Sequence, residues 1–391
     1  MQSGNTKHSQ DTQPIPPTGR LLLAVVTFVL LITTSCSNTT SPPAADNRAT
    51  NTPEASIQTS TITAGKTTVT SDGIDATTVT IQLRDQDGEP FYGSDGTVTI
   101  NAPAGDVSEI TNHRDGTYTA TYKPLGKGDI TLTATLDGEP LTDTLTIKRT
   151  TTNGFYIHEN GVTIKCEDAQ PGGTGDIALD GQNAIAYTKR TKAEIDIDTI
   201  DPARTCTSGI TDMSNMFENK TNFDGDISHW DTSIVDDMSY MFFNADAFNQ
   251  SIGEWDTSQV ENMGSMFFGA SAFNQPIGSW DTSQVENMGY MFFGASAFNQ
   301  PIGDWDTIAV KLMNHMFSGA NTFNQPIGNW DTGAVTDMLW MFNNADSFSQ
   351  DISNWCVSEL SSKPLKPVGF DRDTSTEWNQ VRKPNWGASC P

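Results

Sequence analysis

Four aspartates, Asp256, Asp281, Asp306 and Asp331, recur at intervals of 25 residues, and a pair of carboxylates is all that glycoside hydrolysis needs. A catalytic pair requires unlike surroundings that split its pKa values. A column repeated in one register supplies the same surroundings each time, so these Asp-Thr pairs read as turn or cap residues. Apart from Met1, the methionines fall in two columns, Met213 through Met338 and Met216 through Met341. Thioethers are soft ligands that would suit copper, but these share an apolar face with Val and Phe and are read as core. The histidines His8, His113, His158, His229 and His315 form no His-Glu-x-x-His and no triad-like context. Gly-Ala-Ser-Ala-Phe, starting at Gly269 and again at Gly294, lacks the closing glycine of a nucleophile elbow. Ala64-Gly65-Lys66-Thr67 ends like a phosphate-binding loop, yet Ser60 stands where that loop needs Gly. The expectation is a non-enzyme with no cofactor and no metal.

One column holds more promise. The residue before each Met-Phe pair is Asn215, Tyr240, Ser265, Tyr290, His315 or Trp340. On a helix, at about 100° per residue, this position lies roughly 150° from the apolar face. Tyr240, Tyr290, His315 and Trp340 are therefore the candidate ligand-binding residues, placed to stack on sugar rings or insert into a partner surface. The competing role is packing across the neighbouring coil. Asn249, Asn274, Asn299 and Asn324 read instead as a ladder bonding backbone between coils, because buried main-chain groups must find partners.

These columns need a scaffold with a fixed repeat. Trp230, Trp255, Trp280, Trp305, Trp330 and Trp355 are spaced by 25 without an insertion, and Phe223 through Phe348 and Ile227 through Ile352 keep the same interval. A fixed period of this size means a solenoid whose coils bury their apolar sides only against neighbours. In one copy Val285, Met288, Met291, Phe292 and Ala295 fall at helical spacing. Ser283 with Glu286, and Ser258 with Glu261, look like capping boxes. A helix followed by a short extended piece near Ile302 predicts an α/β leucine-rich-repeat-like solenoid. Ordering 25 residues costs nearly 40 kcal/mol at about 1.5 each. Seven buried large side chains return only about 1.5–3 kcal/mol apiece, so a single coil cannot fold alone.

Four cysteines flank the repeats, Cys166 and Cys206 before and Cys356 and Cys390 after. Three pairings are open. Nearest-neighbour bridges would staple each end of the stack, and the spacings lack the doublets of a zinc site.

Ahead of the repeats, Val79-Ile81-Leu83, Tyr118-Ala120-Tyr122 and Ile130-Leu132-Ala134 alternate with period two, and Asp87-Gly88, Asp115-Gly116 and Asp137-Gly138 punctuate them. An Ig-like β-sandwich over residues 58–150 is expected, with a tyrosine corner at Tyr118. The run from Asp115 to Gly138 resembles invasin-type and filamin-type bacterial Ig-like domains, which implies a spacer or adhesive stalk. At the start, Arg20 precedes an apolar stretch from Leu21 to Ile32 and then Thr33-Thr34-Ser35-Cys36. This resembles a bacterial lipoprotein signal, which implies cleavage before Cys36 and lipidation of its thiol; an uncleaved anchor is the alternative. Residues 37–56 contain no large apolar side chain and read as a disordered stalk.

The organisation expected is a signal over 1–35, stalk over 36–57, sandwich over 58–150, N-terminal cap over 151–209, repeats over 210–355 and C-terminal cap over 356–391. With 48 acidic and 22 basic side chains the net charge is −26, which excludes a nucleic-acid binder and adsorption to anionic lipid. A cationic partner or bridging Ca²⁺ would suit the acidic repeats; solubility is the simpler account.

The repeat WDTSxVxxMxxMFxxAxxFNQxIGxW resembles that of BspA-like leucine-rich-repeat surface proteins of the mycoplasma-lipoprotein type. Gly161 to Cys166, Thr205 to Gly209, Asn354-Trp355-Cys356 and Lys383 to Gly387 look like the same proteins' flanks. The resemblance implies a membrane-tethered cell-surface protein whose solenoid binds an extracellular protein or glycan. The alternative is a structural envelope protein that self-associates without a specific ligand.

Overall fold

The computed structural model describes residues 54–93, 96–196, 198–360 and 366–386. The signal, Cys36 with its lipidation, and most of the stalk lie outside the described residues. Among the described residues no helix is long and apolar enough to cross a membrane.

Period-two alternation produces two sheets. One orders Thr61–Ala64, Thr77–Gln82, Thr117–Lys123 and Asp106–Val107 side by side, all antiparallel. The other orders Thr68–Thr70, Leu145–Thr150, Gly128–Leu136 and Val98–Asn101, with a parallel pair at its edge. The alternating apolar residues meet between the sheets, where Val79, Ile81, Tyr122, Leu132 and Ile147 are fully buried. Tyr118 of the expected tyrosine corner and Tyr122 four residues on in the same strand both turn their hydroxyls to backbone carbonyls. The firm hydroxyl bond is from Tyr122 to the Ala104 carbonyl at 2.6 Å, whereas Tyr118 approaches Gly96 O only to 3.5 Å. Lys66 of the phosphate-loop look-alike is held by Asp75.

The sandwich seats directly on the segment that follows. Arg149, nearly buried, donates to the carbonyls of Leu125, Lys127 and Gly128 and pairs with Glu159 at 2.8 Å. Ile157 N donates to Ser71 O and Ala178 N to Asp72 O. Gly73 sits so close to Ala178 O that a Cβ there would come within 2.0 Å.

The repeats stack as 25-residue coils, but the expected α-helix in each coil is absent. Among the described residues the only helices are three short 3₁₀ turns, Lys192–Glu194, Pro202–Arg204 and Gln380–Arg382. The expected α/β leucine-rich-repeat-like solenoid is therefore corrected to a coil of linked turns. In the coil starting at Trp255, Met266 N bonds to Met263 O, Phe268 N to Ser265 O and Ala270 N to Phe267 O. The intervening amides leave the coil. Met263, Ser265, Phe267 and Gly269 donate to Asn287, Gly289, Met291 and Phe293 of the next one. An α-helix would consume all of these groups internally. Here half of them form a ladder between coils, and single-residue parallel bridges link Asp212, Asp237, Asn262, Asn287, Leu312 and Asp337. Extended pairing thus falls before the methionines, not near Ile302. Ser258 and Ser283 cap no helix; each lies in a turn after its aspartate.

The side-chain columns assigned to the core are there. Met263, Met266, Phe267, Ala270, Phe273 and Ile277, and their equivalents from the second coil to the sixth, are buried, whereas Met216 and Phe223 of the first coil are only partly covered. Phe292 stacks on Phe298 at 4.0 Å, and Trp280 on Trp305 at 6.5 Å with planes 2° apart. Each Trp also reaches back one coil, as Trp280 Nε1 donates to Ile252 O at 3.0 Å. Thr257, Thr282 and Thr307 donate to the carbonyls of Asp281, Asp306 and Asp331.

Both ends are covered. At the first coil, Asp231 is buried against Lys165 at 2.7 Å and accepts from Ser208 at 2.5 Å. At the last, Val368, Phe370 and Arg372 offer carbonyls to Trp340, Phe342 and Asn344, and Trp378 donates to Gln350 O as the next tryptophan of the column would.

Candidate functional site: an aromatic strip

The turn geometry decides what the column ahead of Met-Phe presents. Asn215, Tyr240, Ser265, Tyr290, His315 and Trp340 all adopt left-handed backbone, with φ between 56° and 59°. Asn tolerates this region, but a bulky aromatic there is an outlier. A second left-handed column, Asn219, Asn244, Gly269, Gly294, Gly319 and Asn344, contains only Asn and Gly, the residues expected for such a site.

The two left-handed positions bracket the triplets Met241-Phe242-Phe243, Met266-Phe267-Phe268 and Met291-Phe292-Phe293, whose last phenylalanine is only half-buried. Tyr240, Phe243, Phe268, Tyr290, Phe293, His315 and Trp340 thereby form a continuous strip. Phe243, Phe268 and Phe293 stack at 4.4 Å. His315 stacks on Tyr290 at 4.4 Å with planes 10° apart, and on Trp340 at 6.2 Å. Tyr240 is the most open member at 44% exposure. The Arg372 guanidinium lies 5.9 Å from the Trp340 ring.

Ring faces in this strip are spent largely on one another, except at Tyr240, whose contact with Phe243 is tilted at 5.7 Å. Such a surface favours apolar contact with a partner over stacking of a sugar on an open face. Burial holds the His315 pKa below its ordinary value, with the Asp337 charge acting weakly the other way. The imidazole is therefore neutral near pH 7, and its Nδ1 is buried without a hydrogen-bond partner.

The phenylalanines Phe243, Phe268 and Phe293 escaped the sequence reading, although their signal is plain. The first, fifth and sixth coils carry Glu218, Ser318 and Asn343 at that place. A second signal is sharper. Trp255 to Gly278 and Trp280 to Gly303 are identical except that Ser265 in one is Tyr290 in the other. The single difference falls in the strip.

The remaining columns are structural in geometry. Asp256, Asp281, Asp306 and Asp331 each accept the amide two residues on at 2.8–3.1 Å, closing a turn. Asn274 Oδ1 accepts from Asn299 N at 2.9 Å and from Gln300 Nε2 at 3.0 Å, and Asn249 and Asn299 do the same for their neighbours. Cys166 and Cys206 are bonded in the N-terminal cap. Cys390 lies outside the described residues, and with it the expected Cys356–Cys390 bridge. No cluster of three or more His, Cys, Asp or Glu suited to a metal ion occurs among the described residues.

Fold and repeat together define the class: an invasin-type Ig-like domain ahead of a stacked 25-residue repeat. Residues 56–152 match the family described as Invasin, domain 3. Residues 185–295 and 274–364 match the family described as Mycoplasma protein of unknown function, DUF285. Among solved structures, the chain is similar to invasin, described as a bacterial integrin-binding protein, with 30% identity and a TM-score of 0.24 over 25% of this chain and 20% of invasin. It is also similar to the adhesin InvE of Yersinia pseudotuberculosis, with 29% identity and a TM-score of 0.23 over 25% of this chain and 28% of InvE. The Escherichia coli adhesin FdeC shows 24% identity and a TM-score of 0.22 over 26% of this chain and 34% of FdeC. The chain thus spans about a fifth to a third of the length of these proteins.

Proposed function

We propose that this chain is a bacterial cell-surface adhesin without catalytic activity, tethered at its N-terminus through a lipid on Cys36. The Ig-like domain holds the coil stack away from the envelope, and the aromatic strip docks an extracellular protein. The invasin-domain match over residues 56–152 supports surface placement. The observation that carries the binding role is the left-handed backbone beneath Tyr240, Tyr290, His315 and Trp340. For the two tyrosines and the tryptophan this costs about 1–2 kcal/mol each relative to an ordinary conformation, in a column where Asn215 and His315 fit more easily. Strain kept in register on a half-open surface points to use of that surface.

The test uses substitutions the backbone accepts. Tyr240→Asn and Tyr290→Asn keep the left-handed turns and remove the rings. The purified chain is assayed against host cells, a matrix-protein panel and a glycan array, with melting curves in parallel. The expected result is at least ten-fold weaker cell or protein binding with melting changed by only a few degrees. Undiminished binding by the double variant refutes the strip as the docking surface.

A further inference from the structure

A pocket of about 390 Å³ opens between the N-terminal cap and the first coil, at the low end of the roughly 300–1,000 Å³ range of small-ligand sites. Its wall carries Lys189, Arg190 and Lys192 against one acid, Asp212, with Ile210 and Thr211 from the coil. Three cations to one acid is anomalous in a chain of net charge −26.

The three cations are not equivalent. Lys189 Nζ is committed to the carbonyls of Glu167 and Ala169 at 3.1 and 2.9 Å. Lys192 Nζ is committed to Asp212 at 2.8 Å and Ser214 at 3.0 Å. The nearby acid Glu194 directs Oε2 to the amide and hydroxyl of Thr191. Arg190 and Lys189 both lack an ion pair among the described residues, though Glu194 senses the Arg190 charge. Of the two only Arg190 has an unpaired side-chain donor, its Nε being shut from solvent with no hydrogen-bond partner. A desolvated donor on a charged group is costly to leave unmade. Arg190 also lines the part-apolar cavity, where a guanidinium can take a carboxylate through a two-point fork of its terminal nitrogens while Nε stays covered.

We infer that this pocket is a carboxylate-binding site, with Arg190 as the anion's partner and Ile210 beneath the body of the ligand. The site goes beyond the adhesive reading of the strip and does not depend on it. An acidic sugar and a peptide carboxylate share the chemistry, and the probes tell them apart.

The experiment titrates the purified chain calorimetrically with glucuronate and N-acetylleucine, with glucose and N-acetylleucine amide as neutral controls. At least one carboxylate probe is expected to bind and its neutral counterpart not. Tighter binding of glucuronate assigns an acidic sugar; tighter binding of N-acetylleucine assigns a peptide carboxylate. Arg190→Gln is expected to weaken binding about ten-fold or more, and Arg190→Lys to weaken it less. The Arg190 side chain makes no hydrogen bond among the described residues, so melting of Arg190→Gln is expected to stay at or above the parent value. No binding by either probe, or equal binding by Arg190→Gln and the parent, overturns the assignment. Tyr240→Asn, Tyr290→Asn retains this pocket, so failure of one proposal is visible separately from failure of the other.

Discussion

Replacing Asn274 by Ala probes the bonding between coils directly. Asn274 Oδ1 accepts from the half-buried Asn299 amide at 2.9 Å and from Gln300 Nε2 at 3.0 Å. Alanine removes both bonds, each worth about 1 kcal/mol net, and strands a main-chain donor at a further cost of about 1–3 kcal/mol where water cannot reach it. The loss should be about 3–5 kcal/mol. For a unit of this size that lowers the melting temperature by roughly 6–20 °C. The assay is equilibrium urea unfolding followed by tryptophan fluorescence, since the stacked Trp280 and Trp305 report on coil packing. Asn274→Asp is the decisive control, because it keeps the accepting oxygen. The first coil already uses that substitute, with Asp224 Oδ1 taking Asn249 N at 2.9 Å. The aspartate variant should stay within about 1 kcal/mol of the parent. A harmless alanine, or an aspartate as damaging as alanine, refutes the ladder as a source of stability.

Gly294 stands at φ 67°, so Gly294→Val should cost about 2 kcal/mol or more, while Gly294→Asn should melt close to the parent because Asn occupies that column at 219, 244 and 344. Burial raises the Asp231 carboxyl, but the Lys165 and Ser208 hydrogen bonds outweigh it and leave its pKa below the ordinary value. Its stabilising contribution is therefore present above about pH 4 and is lost as pH falls through the lowered folded value. Melting from pH 5 to pH 2 should show this loss in the parent and not in Asp231→Asn; parallel curves count against it. Asp231→Asn should itself cost about 3–5 kcal/mol at pH 7 by leaving Lys165 buried without its partner. Changing both Cys166 and Cys206 to Ser opens a loop of separation 40 and should cost about 4 kcal/mol, read as a lower urea midpoint in the non-reduced protein.

Side-chain periodicity was legible because burial imposes it. The Trp, Phe, Met and Ile columns lie in one core, and the Asn ladder bonds coil to coil as its repetition implied. Backbone conformation was less so. Val285, Met288, Met291, Phe292 and Ala295 fit a helical stripe and are all buried, yet linked turns bring the same residues inward. The discriminating signals were Gly264, Gly269, Gly289 and Gly294, poor helix formers inside the presumed helix. At Gly264 a Cβ would meet Asn287 Nδ2 at 2.6 Å, a constraint set by the next coil and invisible in one repeat. The strip was half legible: Tyr240, Tyr290, His315 and Trp340 stood out by type, while the left-handed turns that aim them emerged only in three dimensions. The Arg190 pocket had no sequence signature, since its walls come from two segments that only the folded chain brings together.

The unbroken 25-residue register has a genetic consequence. Because near-identical stretches follow head to tail, crossover between misaligned copies would add or delete a whole coil and leave every column in line. Such an exchange changes how many aromatic rows the surface displays while both end closures stay intact. One point change, like the one separating Ser265 from Tyr290, then suffices to give a newly copied row its own character.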